Sequence, residues 1–302
     1  MYDLIVVGAG PAGITAAIYA ARKRMNLLVI TKDLGGQAAL SGDVENYTGY
    51  QYISGFELTE KFLEHMKKFD IELREAEEAK KIEVAKDRLR VRTDIGDYEA
   101  KTTILASGAR PRTLNVPGEK EYKNRGVTYC ATCDGPLFSG MDVAVVGGGN
   151  SALDATLQLM RIANRIYLVT KNNAYRGDRV MLEKVESSEK VEILYLTETL
   201  EIIGDKTVNS IRFRKNGEEK TIKVQGVFIE VGYVPNSEPV KDIANLNERG
   251  EVIVDGQNRT NIPGLFAAGD VTNVPEKQII IAAGEGAKAS LSAFKYLSHL
   301  SG

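Results

Sequence analysis

Leu4-Ile5-Val6-Val7-Gly8-Ala9-Gly10-Pro11-Ala12-Gly13 sets an apolar, β-branched run directly against a glycine-rich turn. An alanine-rich stretch to about Arg24 follows, and then a second apolar run at 27–30. This order predicts a βαβ unit with G-x-G-x-x-G at its first turn. One glycine makes the tight turn, one lets a pyrophosphate approach the backbone, and one lets helix and strand lie close together. The helix opening at Pro11 and Ala12 offers free N–H groups and a positive dipole end to the phosphates. Taken alone, the motif also fits a glycine-rich turn that holds no ligand.

The same text returns in the middle of the chain. Val143-Ala144-Val145-Val146 precedes Gly147-Gly148-Gly149-Asn150-Ser151-Ala152, then a helical stretch at 153–161 and a strand at 166–170. Ala152 replaces the third glycine, which the helix–strand contact tolerates. Each unit is followed by charged, alternating stretches that predict antiparallel strands, at 81–84, 89–93 and 98–104 in the first half and at 191–196, 210–214 and 221–224 in the second. An apolar strand closes each half, at 104–108 and 227–232. This is a duplication at domain scale, and it predicts an α/β chain of two Rossmann-like dinucleotide-binding domains, each a three-layer ββα arrangement with one nucleotide. Proline-containing linkers at 110–117 and 233–239 bracket the second unit. Beyond them a buried strand at 265–270 and a long helix from about Lys277 to His299 return to the first. The second domain, 114–239, is therefore expected as an insertion in a discontinuous first domain of 1–113 and 240–302.

Composition agrees with two folded domains: 302 residues at roughly 150 per domain, with 43% hydrophobic and 26% charged residues. A net charge of 39 − 41 = −2 argues against a nucleic-acid binder. No apolar run approaches the roughly 20 residues that span a bilayer. A strand directly after Met1 leaves no room for a secretory leader, so a cytoplasmic protein is expected. Two cysteines exclude a disulfide-stapled scaffold, and two histidines, His65 and His299, make no His-rich metal site. His65 and Tyr19 read as helix packing or rim residues, and His299 as part of a terminal turn.

Both cysteines lie in Cys130-Ala131-Thr132-Cys133-Asp134. Zinc would need four ligands, and the histidines lack the spacing to complete them, so no metal is expected. Two inert thiols would fit as well. The C-x-x-C spacing among βαβ units favours a redox-active dithiol that exchanges with a partner through a mixed disulfide. Asp134 disfavours a thiolate beside it and could carry a proton; it equally suits a helix N-cap before Gly135-Pro136. Two nucleotides and a dithiol imply one order of transfer, hydride from nicotinamide to flavin and electrons from flavin to disulfide.

At this point the chain resembles the low-molecular-weight thioredoxin reductase family over essentially its whole length. The pieces that carry the resemblance are Gly8–Gly13, Gly35-Gly36-Gln37, Val44-Glu45-Asn46, Ala106-Ser107-Gly108, Cys130–Gly135, Gly147–Ala152 and Gly269-Asp270. Lys277-Gln278-Ile279 and Gly284-Glu285-Gly286-Ala287 look especially like the reductase component of alkyl hydroperoxide reductase, without that component's N-terminal thioredoxin-like module, so a separate protein is expected as electron acceptor. The resemblance implies FAD in the discontinuous domain, held by Gly8, Gly10, Pro11, Ala12, Gly13, Gly35, Gly36, Gln37, Asn46, Gly269, Asp270, Lys277, Gln278 and Ile279. It implies NADPH or NADH in the inserted domain, at Gly147, Gly149, Asn150, Ser151, Ala152, Lys171 and Arg176. It also implies a homodimer, a thioredoxin- or glutaredoxin-like partner, Cys133 facing the flavin, Cys130 attacking the partner disulfide, and Asp134 as the acid.

One stretch departs from the family. Where NADPH-using members carry His-Arg-Arg and a further Arg, this chain has Thr170-Lys171-Asn172-Asn173-Ala174-Tyr175-Arg176. Lys171 is a point charge without arginine's fork, and no acid stands at Thr170 to hold a ribose hydroxyl. Lys171 and Arg176 equally suit a solvated loop. NADPH, NADH and reduced ferredoxin all stay open as donors, with a pyridine nucleotide ranked first. A ferredoxin-fed reductase, an NADH oxidase, a ferredoxin–pyridine-nucleotide reductase and a flavin-based redox sensor are the alternative activities. Because dithiol and nicotinamide site share the inserted domain, that domain is expected to swing about its linkers.

Overall fold

The structure is a computed structural model and describes residues 1–41, 43–44 and 46–300, apart from the side chains of Asp43, Thr132 and Cys133. From the N-terminus the chain runs β1 (Tyr2–Ala9), α1 (Pro11–Arg22), β2 (Leu27–Leu34), α2 (Gly36–Ala39), β3 (Asp43–Val44), β4 (Ile53–Ser54), α3 (Gly55–Met66), β5 (Glu72–Arg74), β6 (Ala79–Ala85), β7 (Arg88–Thr93), β8 (Asp97–Leu105) and β9 (Ala109–Pro111). Next come β10 (Val127–Thr128), α4 (Ala131–Asp134), β11 (Asp142–Val146), α5 (Asn150–Leu159), β12 (Arg165–Val169), α6 (Arg179–Glu186), β13 (Val191–Leu194), β14 (Thr197–Gly204), β15 (Val208–Lys215), β16 (Glu218–Lys223) and β17 (Gly226–Ile229). The chain ends with β18 (Tyr233–Pro235), β19 (Leu265–Ala267) and α7 (Ile279–Leu300).

Two units result, Met1–Arg110 with Val234–Gly302 (unit 1) and Pro111–Tyr233 (unit 2). The chain crosses between them at 110/111 and 233/234, earlier than the expected 113/114 and 239/240. The crossings fall inside β9 and β18, which form a two-stranded sheet. Pro111 and Pro235 end these strands rather than starting loops, because the fixed proline φ is compatible with an extended edge.

In unit 1 the sheet order is β5-β2-β1-β8-β7-β6, with β19 also pairing β8. The pairs β5–β2, β2–β1, β1–β8 and β8–β19 are parallel, while β8, β7 and β6 form an antiparallel meander. The continuous apolar run of β1 follows from burial on both faces. Leu4 and Val6 pack with Ile14, Ala17 and Ala289 on the helical side. Ile5 and Val7 pack with Ile82, Leu89 and Val91 on the meander side. Unit 2 repeats the layers. Its five-stranded sheet has the order β10-β17-β11-β12-β13, parallel throughout, beside a separate antiparallel sheet β14-β15-β16. Val143 and Val145 face α5 through Leu153 and Leu159, while Ala144 and Val146 face Ile202, Ile211 and Phe213.

One expected element is corrected. Residues 191–196 are not the first strand of the second meander: Val191–Leu194 pairs parallel with β12, and the meander opens instead with Thr197–Gly204. As β13 is the edge of its sheet, it stays partly exposed and carries Glu192, which pairs with Arg165 on β12 at 2.6 Å. Those charges imitate a solvated meander strand. Among the described residues no helix is long and apolar enough to cross a membrane, and no cluster of three or more His, Cys, Asp or Glu could hold a metal.

Candidate functional site

In unit 1 the first glycine turn connects β1 to α1. Gly10 is the N-cap of α1, no side chain caps that end, and Pro11 occupies the first turn, so the leading amides stay available to an anion. A Cβ added to Gly13 would stand 1.8 Å from the Gly8 carbonyl oxygen, so only glycine allows this helix–strand approach. Gly35 lies across the turn, donating its N–H to the Ala9 oxygen at 2.8 Å. Thr31 braces the same place: its hydroxyl accepts the Ala9 N–H at 3.1 Å and donates to the Asp33 oxygen at 2.5 Å. Gly36 and Gln37 open the short α2 that follows.

Gly269 and Asp270 follow β19, and Gly269 abuts Ala12, whose Cβ lies 3.0 Å from where a Gly269 Cβ would be. Burial pushes the Asp270 carboxyl upward in pKa, with Lys277 pulling the other way. The Lys277 ammonium is itself occupied, pairing with Glu251 at 3.1 Å and donating to the Thr272 carbonyl at 2.5 Å. Asn46 donates to Gln278 Oε1 at 3.0 Å, and Ile279 starts α7 against Val44, Ile53 and Leu58. Of the segment around Asn46, Glu45 lies outside the described residues. Unit 1 thus presents an uncapped helix end, a turn too tight for side chains and a half-buried carboxyl whose pKa burial raises. That donor set fits a flavin dinucleotide.

Unit 2 holds the second turn and the cysteine segment. Gly149 is the uncapped N-cap of α5, Asn150 and Ser151 are exposed, and Ala152 is fully buried. A Cβ on Gly147 would stand 2.2 Å from the Glu230 carbonyl oxygen. The loop after β12 folds over this turn. The Tyr175 hydroxyl donates to the Gly147 oxygen at 3.1 Å, and the Arg176 N–H donates to the Gly148 oxygen at 3.0 Å. Asn150 Oδ1 accepts the Asp178 N–H at 2.7 Å. Lys171 is exposed but paired with Glu198 on β14 at 3.1 Å, and Arg214 stands 3.9 Å from the same carboxylate. This turn fits a pyridine dinucleotide, with an ion pair at the loop where a 2′-phosphate would need free cations.

Cys130 is half-buried and disulfide-bonded; the Cys133 side chain lies outside the described residues. Thr128, the last residue of β10, organises the segment. Its hydroxyl accepts the Cys130 N–H at 3.2 Å and donates to the Asp134 carboxylate. Asp134 precedes a 3₁₀ turn, Gly135–Phe138, without capping it through its side chain. The N-cap expectation is corrected on this point, because the hydroxyl of Thr128 has taken the carboxylate. Glu230, just beyond β17, is a site residue that the motifs missed. Burial pushes its carboxyl up to about 8, the Ala131 N–H donates to it and pulls the other way, and Asp154 adds to the rise. An acid interrupting the apolar run Val227-Phe228-Ile229-Glu230-Val231 was the available signal.

The family model described as pyridine nucleotide-disulphide oxidoreductase matches residues 2–286. An alkyl hydroperoxide reductase component of Pseudomonas aeruginosa is 44% identical over 98% of this chain and 58% of its own length. A protein named NADH dehydrogenase from Bacillus subtilis is 43% identical, with the same two coverages of 98% and 58%. The chain thus spans less than two thirds of these relatives. A thioredoxin reductase of Lactococcus lactis has a solved structure matching with a TM-score of 0.83 at 36% identity, over 99% of this chain and 100% of that one.

Proposed function

The chain belongs to the pyridine nucleotide-disulphide oxidoreductase family, and from that premise we propose that it is an FAD-dependent protein-disulfide reductase fed by a pyridine nucleotide. Its acceptor is a thioredoxin- or glutaredoxin-like protein. The observation that carries this reading is the disulfide at Cys130, built into the same unit as an uncapped dinucleotide turn. Bound in unit 1, FAD supplies a two-electron relay between hydride donor and disulfide. Gly8–Gly13 and the first amides of α1 would hold its pyrophosphate, and Asp270 would bind a polar stretch of the same molecule. Once the disulfide is open, the Cys130 sulfur attacks one sulfur of the partner disulfide and the other leaves as thiolate. In this reading Asp134, which accepts from the Thr128 hydroxyl, takes the proton of the attacking Cys130 thiol and passes it to that leaving sulfur. Cys133 then displaces the reduced partner and re-forms the bond with Cys130.

NADH is favoured as donor over NADPH. The Lys171 ammonium is committed to Glu198, and a 2′-phosphate at this loop would meet that carboxylate. The test is anaerobic titration of the FAD-loaded protein. NADH should bleach the flavin at a concentration at least tenfold below NADPH, and reduction of a thioredoxin should follow. Cys130→Ser should keep the bleaching and lose reduction of the partner. Bleaching by reduced ferredoxin alone, or unchanged partner reduction in Cys130→Ser, would overturn the proposal.

A further inference from the structure

We infer that the Glu230 carboxyl is coupled to the Cys130 disulfide, taking up a proton when the bond is reduced and giving it back when the bond closes. The inference rests on the redox reading above. In unit 2 the strand β17 lies between β10, which leads into the cysteine segment, and β11, which leads into the glycine turn. Glu230 follows the last residue of β17 and touches both. Its N–H donates to the Val146 oxygen at 2.8 Å, and its carbonyl closes against Gly147. Its carboxyl accepts the N–H of Ala131, the residue next to Cys130.

The surroundings make this carboxyl sensitive to a new charge. Asp154 on α5 is the acidic side chain that acts on it. The strands at either side end in Thr128 and Val146, which carry none. On α4 the acid is Asp134, turned to Thr128. Ala131, whose N–H the carboxyl accepts, is buried and is bonded directly to Cys130, while Glu230 and Cys130 are each half-buried. With the disulfide closed, Glu230 keeps its proton up to about pH 8. A thiolate formed beside it raises that affinity further, since like charges oppose each other's ionisation.

Above that pH the Glu230 carboxylate takes part in the reduction. The protein disulfide and the ionised Glu230 react with a small dithiol, which closes to its cyclic disulfide. Two electrons enter and break the protein S–S bond. Of the dithiol's two protons, one ends on a protein thiol and one on Glu230, while the single negative charge moves from carboxylate to sulfur. Glu230 thereby acts through the cysteine segment as a positioning and proton-holding residue.

The test equilibrates the FAD-loaded full chain with dithiothreitol redox buffers from pH 6.5 to 9.5, reading the Cys130 redox state by alkylation and mass spectrometry. Glu230→Gln keeps an acceptor for the Ala131 N–H and mimics the protonated acid. The wild type and this variant should run parallel below about pH 8. Above it the wild-type reduction constant should lose an extra tenfold per pH unit, about 30 mV for a two-electron couple. Parallel lines over the whole range would overturn the coupling alone. A disulfide that no dithiol opens in either protein would overturn the redox reading and this inference with it. Should Glu230→Gln fail to fold, the wild type decides by itself: a break in slope near pH 8 supports the coupling, and a straight line overturns it.

Discussion

Unit 1 and unit 2 build the same strand–turn–helix with different residues at the third position of the turn, and the difference shows where the packing constraint resides. In unit 1 it lies on the helix: a Gly13 Cβ would come within 1.8 Å of the Gly8 oxygen. In unit 2 Ala152 brings a methyl to that place, fully buried. The strand end is tight in both units, a Gly8 Cβ standing 2.4 Å from the Ala106 oxygen and a Gly147 Cβ 2.2 Å from the Glu230 oxygen, so unit 2 relaxes the constraint at the helix position alone. The strand-end glycine is fixed by backbone in both units, while the helix position tolerates a methyl only where the helix stands further off. Gly13→Ala should therefore have the largest effect of any single change proposed. It overpacks against backbone, which has no rotamer to yield, and should cost about 3 kcal/mol together with most of the bound FAD, read by thermal melting and by flavin absorbance per chain. The reverse change, Ala152→Gly, deletes one methyl and should cost about 1 kcal/mol, mainly helix propensity, with pyridine-nucleotide binding retained. Equal losses from the two would break the comparison.

A second contrast sets Thr31 against Thr128. Each hydroxyl accepts a backbone N–H and donates to an oxygen, but Thr31 braces the glycine turn of unit 1 and Thr128 braces the cysteine segment of unit 2. Valine at either position leaves a donor and an acceptor without that partner, a loss of about 2 kcal/mol. The functional effects should separate. Thr128→Val should slow exchange between Cys130 and a partner disulfide about tenfold, because Asp134 is no longer held, while FAD content stays at the wild-type level. Thr31→Val should lower FAD retention and leave the exchange rate unchanged. Stopped-flow thiol exchange and flavin absorbance measure the two, and a variant that moves both equally would show that the bracing is only structural.

The same two regions show how far sequence reasoning reached. The parallel core strands were legible because burial on both faces demands continuous apolar runs, and 4–7 and 143–146 have nothing else to be. The edge strand β13 was not, since an edge faces solvent and its Glu192–Arg165 pair mimics meander chemistry. Glycine turns were legible because their requirement is local. The partners of the chemical groups were not: Asp134 satisfies a local capping rule on paper, yet its carboxylate goes to Thr128 on a strand. Lys171 reads as a free cation until β14 brings Glu198 to it from 27 positions away. Local rules name the acids and bases, and tertiary pairing decides which remain available.

That pairing gives the smallest and most specific expectation, at the loop after β12 where unit 2 is proposed to select its nucleotide. Lys171 and Glu198 are both well exposed, so the pair contributes little to stability and is screened by salt. Its weight would fall on discrimination. Glu198→Ala removes the carboxylate that a 2′-phosphate would meet and releases Lys171, while Arg214, 3.9 Å from that carboxylate, stays paired with Glu219 at 2.8 Å. NADPH should then bind about tenfold more tightly at low salt, roughly 1.4 kcal/mol, with the NADH Kd unchanged, both measured by fluorescence titration. The gain should shrink in high salt, because the phosphate would be held by exposed cations rather than by a buried fork. A gain shared by NADH would place Glu198 against the part common to both nucleotides, and the loop would then have no part in choosing between them.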